Sequence, residues 1–202
     1  MPSIYDLKPA FQGLLRPLVK GLARSGVTAN QVTVAAMALS LGSGALIALF
    51  GSDPAWLLLL PGVLFLRMAL NAIDGMLARE HDQKTPLGAV LNELGDVISD
   101  AGLYLPLALV PGFSPVLVVL LVLLATLSEM TGVLNQALGG SRRYDGPMGK
   151  SDRAFVVGAL GLALGMGFSG AGWLNNVLGI VVLLLAWTVA NRARHGLAEQ
   201  AP

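Results

Sequence analysis

The sequence predicts an all-α polytopic membrane protein: six transmembrane helices preceded by an amphipathic helix lying in the interface. Three observations lead there. Hydrophobic residues make up 54% of the 202 residues and charged ones only 12%, about half the charged share of a soluble domain. Mean hydropathy is +0.70. Six apolar stretches are long enough, at about 20 residues each, to cross a bilayer as helices. The absence of cysteine excludes disulfides, thiolate metal sites and cysteine nucleophiles. A net charge of +1 supplies no basic field, so nucleic acid is not an expected partner.

The elements follow in order. Residues 1–27 form a juxtamembrane segment. Ile4, Leu7, Phe11, Leu14, Leu18 and Leu22 recur at helical spacing with basic residues between them, which suits a helix on an anionic lipid surface. Pro9 and Pro17 should kink it. Thr28 or Asn30 caps the first span. The spans fall near 31–51, 55–79, 87–110, 114–137, 152–169 and 173–192, within a membrane domain over 28–196. Residues 197–202 read as a C-terminal tail. No cleavable signal peptide is expected.

Lys8, Arg16, Lys20 and Arg24 precede span one. Arg79 and Lys84 separate spans two and three, and Arg142, Arg143, Lys150 and Arg153 separate four and five. Arg192 and Arg194 follow span six. The opposite connections, near 52–54, 110–114 and 168–172, hold no Lys or Arg. The positive-inside rule therefore puts both termini and the longer loops in the cytoplasm.

Ionisable groups inside spans are costly and are functional candidates by default. Here they concentrate in two stripes. Arg67, Asn71, Asp74 and Ala78 share one face of span two, and Asn92, Asp96 and Asp100 line span three. Clustered carboxylates must be protonated or have cations between them, and oxygen donors of this kind suit hard ions. The plainer alternative is that these groups pair with Arg67 and backbone to hold the helices together. Glycines 75, 88 and 95 would let a base or a phosphate approach the backbone. Glu129 in span four is a further costly charge, facing the cavity or pairing with Arg67. His81 and His195 read as solvated. Glycines 158, 161 and 165 read as a packing face.

The run Asn71-x-x-Asp74-Gly75-x-x-Ala78-Arg79, eight residues, then Gly88-x-x-x-Asn92-x-x-x-Asp96 resembles the signature of the CDP-alcohol phosphotransferase (CDP-alcohol phosphatidyltransferase) family. That signature reads D-x-x-D-G-x-x-A-R, a gap of eight or nine, then G-x-x-x-D-x-x-x-D. Ala29-Asn30-Gln31-Val32-Thr33 and Gly149-Lys150-Ser151-Asp152-Arg153 are similar to further family features. The resemblance implies six transmembrane helices, a homodimer and a cytoplasmic-side active site in a bacterial inner or plasma membrane. It also implies an enzyme of phospholipid biosynthesis. Such an enzyme transfers a substituted phosphate from a CDP-linked donor, CDP-diacylglycerol in a chain this short, to an alcohol with release of CMP.

By the same resemblance, Asp74 and Asp96 are ligands of Mg²⁺ or Mn²⁺, with Asn71 and Asn92 as neutral ones. Asp96 is the general base and Asp100 the alternative base or ligand. Gly75, Ala78, Arg79, Gly88 and Asn30 receive the nucleotide. Two positions depart from the signature, because its first and third aspartates are Asn71 and Asn92 here. Neutral amides hold two divalent ions less tightly, so one ion or a shifted pair is expected. Glu93 and Asp100 could compensate, although Glu93 lies about 100° from Asn92 on an ideal helix.

Arg142, Arg143, Lys150 and Arg153 suit an acceptor that itself bears a phosphate, or else serve as positive-inside anchors. A homologue that binds a CDP-lipid without turnover is an alternative reading, and a small proton- or cation-coupled transporter is another. Against the transporter, the acids cluster in one half of the spans and no inverted repeat is evident.

Overall fold

The structure, a computed structural model, describes residues 4–169 and 171–200, with side chains from Pro9 onward. Seven helices make up the described residues: α1 (Ile4–Arg24), α2 (Ala29–Phe50), α3 (Leu59–Glu80), α4 (Pro86–Tyr104), α5 (Pro115–Ala137), α6 (Lys150–Gly165) and α7 (Leu174–Glu199). No strand occurs among them. Helices α2 to α7 take up the six apolar stretches. Four segments are long and apolar enough to cross a membrane: Ala29–Phe50, Pro54–Glu80, Pro115–Ala137 and Leu174–Glu199. The apolar run of α4 is interrupted by Glu93, Asp96 and Asp100, and α6 has only 16 residues.

Helix starts follow local chemistry. Thr28 rather than Asn30 caps α2: its hydroxyl accepts from Gln31 N while Gln31 Oε1 accepts from Thr28 N, a capping box. Thr85 and Ser114 cap α4 and α5, each with Pro at the first helical position. The second stretch opens with a short 3₁₀ segment, Pro54–Leu58, capped by Asp53. The third does not run to residue 110 as one α-helix. It tightens into a 3₁₀ segment, Leu105–Leu109, where Pro106 has no N–H to continue the α ladder. Helix α6 stops at Gly165, followed by Gly167 at φ +89°.

Helix α1 runs unbroken through Pro9 and Pro17. Its inner face is Phe11, Leu15, Val19 and Leu22. Val19 is fully buried in a cluster with Ala29, Val32, Ile73, Met76 and Leu77. Phe11 sits edge-on to Phe65 at 6.3 Å, and Arg16 pairs with Glu80 at 3.0 Å. Leu14 and Leu18 face outward, so only part of the predicted apolar stripe is lipid-facing. Ile4 and Leu7 lie outside the described side chains.

The main core joins α3, α5, α6 and α7 through Leu60, Leu64, Leu121, Val157, Leu178 and Leu185, among others. Small residues let backbones close in. A Cβ on Gly44 of α2 would lie 1.8 Å from the Gly102 carbonyl oxygen of α4. Gly161 and Gly165 meet Leu60, Leu57 and Leu58 at 2.7–3.0 Å on the same measure, and Gly158 meets Leu64 more loosely at 3.6 Å. The predicted packing face on the fifth stretch is thereby explained. All the intrahelical charge collects at one end of the bundle. At the other end Asn175 joins the turn before α5, bonding Ser114 N and Gly112 O.

Candidate active site

The site lies where polar side chains of α3 and α4 reach towards each other, with the start of α6 beside both. Helical spacing puts Arg67, Asn71 and Asp74 on one face of α3. Asp96 and Asp100, one turn apart, face them from α4. Asp96 Oδ1 accepts from Asn71 Nδ2 at 3.3 Å and from the ammonium of Lys150, the first residue of α6. Arg67 lies 3.9 Å from the same oxygen and donates to the Asp96 carbonyl at 3.2 Å. Two donors and a nearby guanidinium thus converge on one carboxylate oxygen, while the side chain keeps 23% of its surface exposed.

Asp74 is buried and accepts from the Thr33 hydroxyl of α2 at 2.8 Å. Among the described residues it has no salt-bridge partner. Asp100 is different: Arg67 NH1 reaches its Oδ1 at 2.6 Å and Arg153 NH2 its Oδ2 at 2.9 Å. Each oxygen faces a guanidinium, Oδ2 through hydrogen bonds and Oδ1 through the ion pair alone, and the residue is 5% exposed.

The four cations expected at an acceptor pocket are all engaged. Arg153 is 1% exposed and bridges Asp100 to Glu129, the latter at 3.1 Å. Arg142 pairs with Glu93 at 2.7 Å and with Glu129 at 3.2 Å. Arg143 pairs with Asp145 at 3.0 Å and with Glu199 at 3.3 Å. Lys150 holds Asp96. Glu129 bonds not to Arg67 but to Arg142, Arg153 and, at 3.5 Å, Arg192. His195 is solvent-exposed but not free, since Nδ1 is 2.8 Å from Asp145 Oδ2.

Arg192 was legible in the sequence only as an inside charge. In the structure it is buried, donates to the Ser128 carbonyl at 2.6 Å and anchors α7 to α5. The signal was Glu129 itself: a lone acid in an apolar span requires a cation from elsewhere.

Of the residues expected to receive a nucleotide, Asn30 and Gly88 come together. A Cβ at Gly88 would stand 2.8 Å from Asn30 Oδ1. The Arg79 guanidinium folds over Gly75, 3.1 Å from where its Cβ would be. Ala78 packs on the α1 cluster. Asn92 is exposed, and no side-chain hydrogen bond of it occurs among the described residues.

A cavity of about 590 Å³ opens between α3 and α6. Arg67, Asn71 and Lys150 form its polar end. Leu64, Phe65, Met68, Ala154, Phe155, Gly158 and Leu162 line the rest. One end is therefore charged and adjoins Asp96, and the remainder is hydrocarbon.

The match that decides the family spans most of this architecture: a family model described as CDP-alcohol phosphatidyltransferase covers residues 26–191. The chain belongs to this family. Members of it are transferases of phospholipid synthesis, and this chain is an integral membrane protein of that kind. It is 50% identical to the inner membrane protein YnbA of Escherichia coli (strain K12) over 199 residues, 98% of each chain. Phosphatidylinositol phosphate synthase of Mycobacterium marinum is 31% identical over 99 residues, 48% of this chain and 40% of that one. The fold matches the crystal structure of Mycobacterium tuberculosis phosphatidylinositol phosphate synthase (PgsA1) in complex with manganese and citrate. The TM-score is 0.74 at 21% identity, over 90% of this chain and 88% of that one. The same enzyme with CDP-DAG bound gives 0.68 at 22% identity, covering 91% of each.

The oxygen donors present are of the kind a hard divalent ion takes. Asp74 is a buried carboxylate without a cation, and Asn71 adds an amide one turn away. They do not offer the four carboxylates of the family signature. No group of three or more His, Cys, Asp or Glu positioned to hold a metal occurs among the described residues.

Proposed function

We propose that this family member moves a phosphatidyl group from CDP-diacylglycerol to the hydroxyl of a small alcohol and releases CMP, at the cytoplasmic face of the membrane. The cavity between α3 and α6 carries the reading. A donor with a pyrophosphate head and acyl tails needs a polar end beside the reacting groups and an apolar trough continuous with lipid. Arg67, Asn71 and Lys150 supply the first, and Phe65, Met68, Phe155 and Leu162 supply the second.

In this reading the acceptor oxygen attacks the phosphorus that bears the diacylglycerol. The pyrophosphate P–O bond breaks, CMP leaves, and the hydroxyl proton passes to Asp96. Lys150, Asn71 and Arg67 hold the Asp96 carboxylate in place beside the cavity. Asp100 acts one step back, as a positioning residue that fixes Arg67 and Arg153. Asp74 and Asp96, with Asn71 and Asn92 as neutral ligands, would hold Mg²⁺ or Mn²⁺, which supplies charge neutralisation for the pyrophosphate and the departing CMP. Arg79 and the Asn30–Gly88 pair take the nucleotide. Alignment and charge stabilisation supply most of the rate in transfers of this kind.

The acceptor would enter at the mouth of the cavity near Lys150, the one of the four cations that lines it. The test is CMP release from CDP-diacylglycerol in detergent with Mg²⁺ or Mn²⁺ against a panel of alcohols, some phosphorylated. Release that Asp96→Asn abolishes is expected. The neutral Asn71 and Asn92 favour one second reading, a CDP-lipid-binding homologue without turnover. Metal-dependent binding of the donor with no release under any acceptor would establish it and sink the enzyme.

A further inference from the structure

The charges around the site balance. Five carboxylates are gathered there: Asp74, Glu93, Asp96, Asp100 and Glu129. Five cations answer them: Arg67, Arg142, Lys150, Arg153 and Arg192. Arg79, five residues past Asp74, adds one positive charge beyond that balance. With aspartate at positions 71 and 92 the group would carry two more negative charges. Asn71 instead donates a hydrogen bond to Asp96, where an aspartate would repel it. Asp96 Oδ1, the oxygen a metal would share, already accepts from Lys150 and Asn71. A divalent ion approaching Asp74 therefore meets no net negative charge, and the field that draws two such ions into an acidic site is missing.

We propose that this chain binds its divalent ion together with the nucleotide diphosphate rather than before it, and that Lys150 stands in for a metal at Asp96 until then. The inference rests on the transferase reading. A pyrophosphate diester brings two negative charges, and those supply what Asn71 and Asn92 omit. Metal and nucleotide are then linked: each tightens the other by the same factor. Lys150 orients Asp96 before the ion arrives, which spares the fold an unpaired carboxylate. One ion per chain is expected, because Asp74 is the one carboxylate of the group that lacks a cation partner among the described residues.

The experiment uses the full chain in detergent, with Mn²⁺ followed by electron paramagnetic resonance and CDP followed by calorimetry. Mn²⁺ should bind weakly alone and about tenfold or more tighter with CDP present, at one ion per chain. Asn92→Asp restores a negative charge on an exposed helix position, and Lys150→Met removes the positive one. Each should raise Mn²⁺ affinity in the absence of CDP and shrink the effect of CDP. Mn²⁺ binding that is equally tight with and without CDP, or two ions per chain in the unaltered protein, overturns the proposal while leaving the transferase reading in place. No CDP binding with or without Mn²⁺ overturns both.

Discussion

Arg153 is nearly invisible to solvent and is shared between two acids, Asp100 and Glu129. Its removal strands both, so Arg153→Ala is expected to lower stability by about 3–5 kcal/mol, read as an earlier thermal unfolding transition in detergent. Arg153→Lys should recover only part of this, since one ammonium cannot reproduce the fork across two carboxylates. Asp145, in the loop before α6, tests the outer shell by pH. Burial pushes its carboxyl up, but the hydrogen bond with His195 and the nearby Arg143 outweigh that and hold it below the usual range. A depressed folded value adds stability that is full above the unfolded pKa, about 3.9, and is lost as pH falls through the folded one. Asp145→Asn should therefore flatten the loss of melting temperature between about pH 5 and pH 3. At this scale the sequence showed which charges are costly but not how they pair. Spacing placed Asp96 and Asp100 on one face of a helix. It could not show that Lys150, Arg142 and Arg153, all from one loop and the helix start after it, reach back across two helices, because nothing local encodes that reach.

Helix ends and helix crossings belong to the next scale up. The six stretches of apolar residues were readable because period and length both survive burial. Their ends were less so. Pro106 converts the last turn after α4 into 3₁₀ geometry. Helix α7 continues to Glu199, well beyond the apolar run that ends near residue 192, because tertiary contacts hold its polar last turns. Glu199 accepts from Ser141 N at 3.0 Å and Ser141 Oγ at 2.9 Å, and Gly196 packs against Asn135. The closest crossing is that of α2 and α4 at Gly44 and Gly102. Gly44→Ala is expected to force these helices apart and cost about 1–3 kcal/mol, measured as a drop in thermal stability. The crossing lies away from the cavity, so CDP affinity at a temperature where the variant is folded should be little changed.

For the molecule as a whole, the charged end and the apolar end are opposite poles of the bundle, and the cavity opens sideways between α3 and α6. The absence of cysteine makes its orientation simple to measure. In intact cells, an impermeant maleimide should label Ser52→Cys, at the pole without Lys or Arg. Ala193→Cys, at the charged pole, should label only after lysis. The reverse pattern would place the site outside. The expected orientation comes from the loops alone, since the positive-inside bias counts residues and needs no contacts.

Charge balance at the site also bears on how substrate arrives. A strongly charged cleft gathers ligands from a distance, and salt weakens that pull. A cluster whose acids and bases cancel exerts little force beyond a few ångströms. The donor would then reach the trough between α3 and α6 by sideways diffusion within the bilayer, and recognition would begin only on contact. Apparent KM for the lipid donor should accordingly vary with its surface concentration in mixed micelles and stay nearly flat as ionic strength rises.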